Sequence, residues 1–298
     1  MKGPVDVAVI GAGPAGCAAA VQAVRLGLSV SLVDAAGEAG GLVSGARMVE
    51  NYPGLGPLPG ALLAERLRSF VGSFGIVVIR DRIARVRADG GTLTAEGAED
   101  SIEGRTLVLA TGTVPLRAGI DGEEDAEGVY YSIVGMPEPF PGEVVILGGG
   151  EAAFDYALSA ADRGADTTVL VRGAEPRARG RLRRSAEASG GVRIVYDSTV
   201  GRIRSASRSV ELEVLTGRLQ GRMTAGAVVV AVGRTGTHPD LPGGLLVERC
   251  GELRGTGGVF TAGDLRLGGL GQACAAAGQG ILAASMALDY IVRGGAGT

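Results

Sequence analysis

The same strand–turn–helix–strand layout occurs twice in this 298-residue chain. An apolar run, Val5–Ile10, meets Gly11-Ala12-Gly13-Pro14-Ala15-Gly16, then an Ala-rich stretch to Leu26, Gly27, the run Leu28–Val33 and Asp34. Further along, Val144–Leu147 meets Gly148-Gly149-Gly150-Glu151-Ala152-Ala153, a stretch to Arg163, Gly164, the run Thr167–Val171 and Arg172. Gly27 follows Gly11 by 16 positions, and Gly164 follows Gly148 by the same 16. Matching order and spacing identify a duplicated βαβ unit and predict an α/β fold with two Rossmann-like dinucleotide-binding domains.

A lone G-x-G-x-x-G is a weak signal, but here the flanking strand and helix are present both times. The first glycine permits the tight turn. The second lets backbone N–H groups approach a pyrophosphate, and the third position lets the helix pack on the strand. The helix N-terminus then faces the phosphates with its positive dipole end. Asp34 stands 23 positions after Gly11, where a carboxylate accepts hydrogen bonds from a ribose diol. The same count from Gly148 reaches Val171, followed by Arg172. The second copy therefore lacks the acid that repels a 2′-phosphate and carries a cation that holds one, which favours NADP(H) while leaving NAD(H) open. Arg177, Arg179, Arg181, Arg183 and Arg184 follow. A solvated basic helix accounts for most of these, and Arg172 and Arg177 are the candidate phosphate ligands.

Composition excludes several classes. The net charge of −3 gives no field to draw in nucleic acid, and 4% aromatics without Trp offer little surface for base stacking. No signal peptide is expected, because the chain runs almost directly into the first strand, and no apolar run is expected to reach the roughly 18–20 residues of a membrane span. A cytoplasmic location is expected. Cys17, Cys250 and Cys274 form no C-x-x-C pair and no metal-ligand cluster, so all three are expected to be small buried thiols and no metal is expected. His238 reads as a surface loop residue, and Lys2 is the only lysine, which leaves no lysine chemistry.

Beyond the glycine turns, the chain resembles the low-molecular-weight thioredoxin reductase group of the pyridine-nucleotide disulfide oxidoreductases. Gly40-Gly41-Leu42 with Val49-Glu50-Asn51-Tyr52-Pro53-Gly54 resembles the stretch that passes the flavin. Leu109-Ala110-Thr111-Gly112 resembles the crossing back to the flavin domain. Val259-Phe260-Thr261-Ala262-Gly263-Asp264 resembles the segment whose Asp holds the ribityl chain. Gln272-Ala273 resembles the helix start near the flavin pyrimidine ring. The resemblance implies FAD at Gly11, Gly13, Pro14, Ala15, Gly16 and Asp34, closed off by Asp264 and Gln272. It also implies that the second Rossmann-like domain is inserted into the first. The FAD domain then comprises residues 1–113 and 244–298, and the NAD(P) domain residues 114–243. A homodimer is implied, with Leu42, Asn51, Tyr130, Tyr131 and Gln272 setting the flavin environment. Asp155 matches an acidic position near the nicotinamide, although an exposed helical acid fits the sequence equally well.

In that group, electrons pass from the flavin to a cysteine pair just before the second glycine turn. Here that stretch is Tyr130-Tyr131-Ser132-Ile133-Val134-Gly135-Met136-Pro137, without sulfur except in Met136. Attack on a disulfide needs a thiolate, and a serine hydroxyl has no two-electron redox cycle. The expected activity is transfer from NAD(P)H through FAD to a non-disulfide acceptor: a small molecule, oxygen or a small redox protein. Hydride transfer between the cofactors needs no side-chain acid or base, so no catalytic residue is named. One alternative is a ferredoxin- or flavodoxin-NADP reductase-like enzyme, since the group includes such reductases without the pair. Another is a flavin-binding redox protein that does not use NAD(P)H, suggested by Ala152, where relatives carry a hydroxyl, and by Gly173, where they carry a second arginine.

Overall fold

The structure is a computed structural model that describes residues 3–89, 91–140, 142–178, 180–244, 251–253, 256–267 and 271–294. Close contacts divide the chain into two compact units. One comprises Met1–Ser44, Met48–Val114 and Thr235–Thr298, and the other Gly45–Arg47 with Pro115–Arg234.

In the first unit, β1 (Val5–Ile10) pairs in parallel with β6 (Ser101–Leu109) on one side and β2 (Val30–Asp34) on the other, and β2 pairs in parallel with β3 (Val78–Arg80). The hairpin β4 (Arg85–Asp89) and β5 (Thr92–Glu96) extends this sheet antiparallel, in the order β3-β2-β1-β6-β5-β4. A late strand, β17 (Val259–Thr261), returns to pair with β6 in parallel. Val7, Ala8 and Val9 are fully buried, the signature of a central strand covered on both faces.

Helices α1 (Pro14–Arg25) and α6 (Ala273–Val292) pack together on one face of this sheet. Their contact is built from small residues. A methyl group on Gly280 would overlap the carbonyl oxygen of Ala15. This corrects one sequence expectation: α6, with 20 residues and a mean hydropathy of 1.3, is long and apolar enough to cross a membrane by length and composition. Part of its apolar character has a packing cause, since Ala276, Ala277, Gly280, Ala283, Ala284 and Ala287 form its buried side, while Ile281, Leu282 and Val292 are exposed. The remaining helices of the unit are α2 (Gly60–Ser73) and the short α5 (Asp264–Leu267).

The second unit repeats the plan. Strands β8 (Val129–Tyr130), β9 (Glu143–Leu147), β10 (Asp166–Leu170), β11 (Val192–Val195) and β15 (Ala227–Val230) form a parallel sheet in the order β11-β10-β9-β15-β8. The order β11-β10-β9-β15 mirrors β3-β2-β1-β6. Helices α3 (Glu151–Asp162) and α4 (Arg181–Ala188) pack against each other, and α3 also contacts this sheet. The antiparallel strands β12 (Val200–Ala206), β13 (Ser209–Val214) and β14 (Gly221–Ala225) form a separate three-stranded sheet. The chain passes between the units at β7 (Thr113–Pro115) and β16 (Arg234–Gly236), which pair with each other as a two-stranded ribbon.

One buried acid organises the turn that leads from β5 into β6. The Asp81 carboxylate accepts backbone N–H bonds from Arg82 (2.6 Å), Ala98 (2.8 Å) and Asp100 (3.1 Å). Burial alone would raise its pKa, but the backbone donors outweigh burial and hold it below the ordinary 3.8. A depressed carboxyl pKa stabilises the fold fully above its unfolded value, and that contribution is lost as pH falls through the folded value. Asp81→Asn is therefore expected to lower the thermal midpoint at neutral pH. The gap from wild type should shrink as the solution is acidified below about pH 4; a gap independent of pH would contradict this account.

Candidate functional site

The first glycine turn is closed by backbone pressed against backbone. Gly11 has φ +100°, and a methyl group there would overlap the Ala110 carbonyl oxygen. A methyl on Gly16 would overlap the carbonyl of Gly11. Gly13 differs: it is the N-cap of α1, in extended conformation, and a methyl there meets nothing within 4 Å. Pro14 follows at the first helical position, and no side chain caps this end. The first-turn N–H groups of α1 and its positive dipole end are thus presented beside open space. Asp34, at the end of β2, accepts the N–H of Ala12 through one oxygen and that of Ala36 through the other, each at 2.8 Å. A carboxylate has about four acceptor positions, so capacity for a diol persists.

The separated stretches singled out in the sequence gather around this turn. A methyl on Gly41 would lie 3.0 Å from the Gly13 Cα, so Gly41 passes directly over the loop, and Leu42 beside it is 49% exposed. Ala110 sits beneath Gly11. Thr111 donates its hydroxyl to the Thr237 carbonyl, and the Gly112 carbonyl accepts the Thr237 N–H at 3.2 Å. A methyl on Gly263 would lie 2.9 Å from the Ala15 Cβ, which seats Asp264, the first residue of α5, close to the opening turn of α1. Gly271 runs so close to Asp264 that a side chain there would overlap its carboxylate. Gln272 is the N-cap of α6, ahead of Ala273, and its amide oxygen accepts from the Asn51 side chain.

The second turn copies the first with one change. Gly148 has φ +147°, and a methyl there would overlap the Ala231 carbonyl oxygen. Ala231-Val232-Gly233 thus occupies the place of Ala110-Thr111-Gly112. Sequence reasoning missed this third element, although the Ala-x-Gly signal stands after a strand in both copies. Gly150 caps α3, and a methyl on it meets nothing within 4 Å. Glu151 and Ala152 are exposed, while the buried Ala153 stands where the first copy has Gly16. The loop after β10 folds onto the turn: Ala178 N–H donates to the Gly149 carbonyl at 2.8 Å, and Pro176 packs there. Arg172 is exposed at the strand end. The Arg177 guanidinium donates to the Val232 carbonyl at 3.1 Å, bracing the third element. Arg179 lies outside the described residues.

Asp155 is half-buried and not an exposed helical acid. One of its oxygens accepts the Arg47 N–H at 3.0 Å, and burial pushes its carboxyl above the ordinary value against the lowering effect of Arg47. No signal in the sequence pointed to Arg47.

The family model described as pyridine nucleotide-disulphide oxidoreductase matches residues 5–280. The chain belongs to this family. Among curated relatives, the thioredoxin reductase of Peptoclostridium litorale is 30% identical over 98% of each chain. Two solved thioredoxin reductases share the fold. That of Lactococcus lactis has a TM-score of 0.85 at 24% identity, covering 97% of this chain and 99% of its own. That of T. acidophilum has a TM-score of 0.84 at 25% identity, covering 97% of this chain and 100% of its own.

This member of the pyridine nucleotide-disulphide oxidoreductase family has no C-x-x-C pair. The stretch before its second turn is anchored by the buried side chains of Ile133, Met136 and Phe140, with the Ser132 hydroxyl accepting the Val134 N–H at 3.2 Å. Only one of its described thiols fits the expectation of burial. Cys17 is fully buried, its thiol donates to the Ala12 carbonyl at 3.1 Å, and desolvation pushes its pKa up to about 12. Cys274, in the first turn of α6, is half-buried, and Cys250 lies outside the described residues. His238 is exposed, as a surface loop residue should be, with Nδ1 at 2.8 Å from the Pro239 carbonyl. In thiol titration of the native protein near pH 8, Cys17 is expected to stay unmodified and to react only after denaturation. Labelling of Cys17 in the native state, read by peptide mass, would refute this.

Proposed function

We propose that the chain is an FAD-dependent NAD(P)H oxidoreductase that passes electrons to an acceptor other than a disulfide. The observation that carries this reading is the stretch Tyr130–Pro137, which holds Ser132 and Gly135 and no cysteine. FAD, when bound, supplies the chemistry by taking a hydride from the reduced nicotinamide and releasing electrons to the acceptor. The chain's own work is binding, orientation and exclusion of water.

In this reading residues 1–113 and 244–298 hold FAD. The open space over Gly13 and the uncapped start of α1 suit a pyrophosphate, contacted by Gly11, Gly13, Pro14, Ala15 and Gly16. Asp34 takes the ribose and Asp264 the ribityl chain. Gly41, Leu42, Asn51, Ala110, Thr111, Gly112, Gly263, Gln272 and Ala273 line the remainder. Residues 114–243 hold NADP(H) at Gly148, Gly150, Glu151, Ala152 and Ala153, with Asp155 toward the nicotinamide and Arg172 and Arg177 toward the 2′-phosphate. The protein acts as a homodimer in the cytoplasm.

A second reading, a flavin-binding redox protein without NAD(P)H, is favoured by one observation: Arg177 already serves the Val232 carbonyl. Anaerobic mixing with NADPH or NADH separates the two. Bleaching of the flavin band supports the oxidoreductase, and no bleaching with either nucleotide removes it. Reoxidation by a panel of ferredoxin, flavodoxin, quinone, oxygen and thioredoxin then names the acceptor class. Alkylation of the protein's thiols is expected to leave this turnover intact; its loss would return the reaction to sulfur. Arg172→Ala is expected to weaken NADPH about tenfold and leave NADH unchanged. Equal effects on both nucleotides would show that Arg172 does not meet the 2′-phosphate.

A further inference from the structure

Gly45–Arg47 is a three-residue excursion that clusters with the second unit, although the residues on both sides of it cluster with the first. A side chain on Gly45 would lie 2.7 Å from Val134, so the excursion is seated closely. Arg47 grips α3 at two places. Its N–H donates to Asp155 Oδ2 at 3.0 Å, and its Nε donates to Asp162 Oδ2 at 2.5 Å. These acids are seven residues apart, two turns along one face of the helix, so Arg47 spans about 10 Å of it. Asp155 stands one turn after Glu151, close to the Gly148–Gly150 turn where α3 begins.

We propose that Arg47 is a positioning residue for Asp155, holding its carboxylate to receive the carboxamide of a nicotinamide bound at the Gly148–Gly150 turn. This inference rests on the reading of the second unit as the nicotinamide-nucleotide site. Three observations carry it. The backbone N–H of Arg47 holds Asp155 Oδ2 at 3.0 Å, and a carboxylate retains further acceptor positions for an amide. The anchor on Asp162 holds Arg47 in place from the far end of the helix. Burial alone would favour the neutral acid, which offers a poorer acceptor to an amide N–H, and the Arg47 charge opposes that. Helix α4 and strands β9, β10 and β11 also pack on α3, and among the described residues none of their ionisable groups acts on Asp155. Glu151 and Asp162 are the acids on its own helix face.

The test is calorimetric binding of NADP+, which cannot reduce the flavin, from about pH 4 to 8 on the flavin-loaded protein. Protonation of Asp155 weakens it as an acceptor, so affinity falls as pH falls through its pKa. Arg47→Ala is expected to weaken NADP+ about three- to tenfold near neutrality and to move this break to higher pH. Both variants keep the backbone N–H, but Arg47→Lys also keeps the charge and should restore most of the break's position. Asp162→Asn, at the exposed helix end, should give a smaller loss of the same kind. Asp155→Asn should abolish the break, and adding Arg47→Ala to it should have little further effect. An unmoved break in Arg47→Ala, or an undiminished Arg47 effect in the Asp155→Asn background, overturns the inference while leaving the nicotinamide site standing. No NADP+ binding to wild type at any pH overturns both.

Discussion

The structure depends on a backbone contact that leaves no room for a side chain. At the end of β1 the chain turns with its Cα against the Ala110 carbonyl, and at the end of β9 it does the same against Ala231. Only glycine fits, because the residue must have positive φ and lie in contact with a neighbouring strand's oxygen. The consequence is geometric. The helix that follows starts hard against the sheet, its first N–H groups unclaimed by a capping side chain, facing the space over Gly13 or Gly150. The rest of each unit, from the flanking strands to the returning segment before α6, is arranged around that start.

Much of this was legible in the sequence because backbone constraints of this kind admit few residue types. The glycine spacing identified both turns, and the element ends differ from expectation by one or two residues. Asp34 was legible as an acid at a strand end, but its bond to the Ala12 N–H was not, because nothing in the spacing says where a carboxylate already spends its lone pairs. Ala231-Val232-Gly233 went unread because Ala-x-Gly is too short a signal without knowledge that β15 lies beside β9. Arg177 was legible as a cation after β10, but its bond to the Val232 carbonyl was not. Arg47 was invisible, since its meaning comes from a partner more than a hundred residues away. The apolar length of α6 was underrated because alanine and glycine look bland in a pattern, yet they allow two helices to touch.

The two glycine turns are alike in backbone and unlike in what surrounds them. The first has an acid integrated into the loop and several distant segments converging on it. The second has Ala153 in place of the tightest glycine and a loop folded back onto Gly149. Matching strand order in the two sheets extends the repeat well past the βαβ core, to the scale of a whole Rossmann-like domain. What diverged is the periphery: the antiparallel strands continue the sheet in one copy and form a sheet of their own in the other.

Arg47 bears on how far the inserted segment is a module. Cut at Pro115 and Arg234, the excised piece would contain every strand of its sheet and still lack a cation it relies on. Asp155 would then face burial without its counter-charge, and Asp162 would be left facing solvent. The insertion is therefore continuous in sequence without being electrically self-sufficient: its charge balance is completed by one arginine, Arg47, encoded far upstream in a three-residue excursion. Any transplant of this unit into another protein must carry that excursion with it.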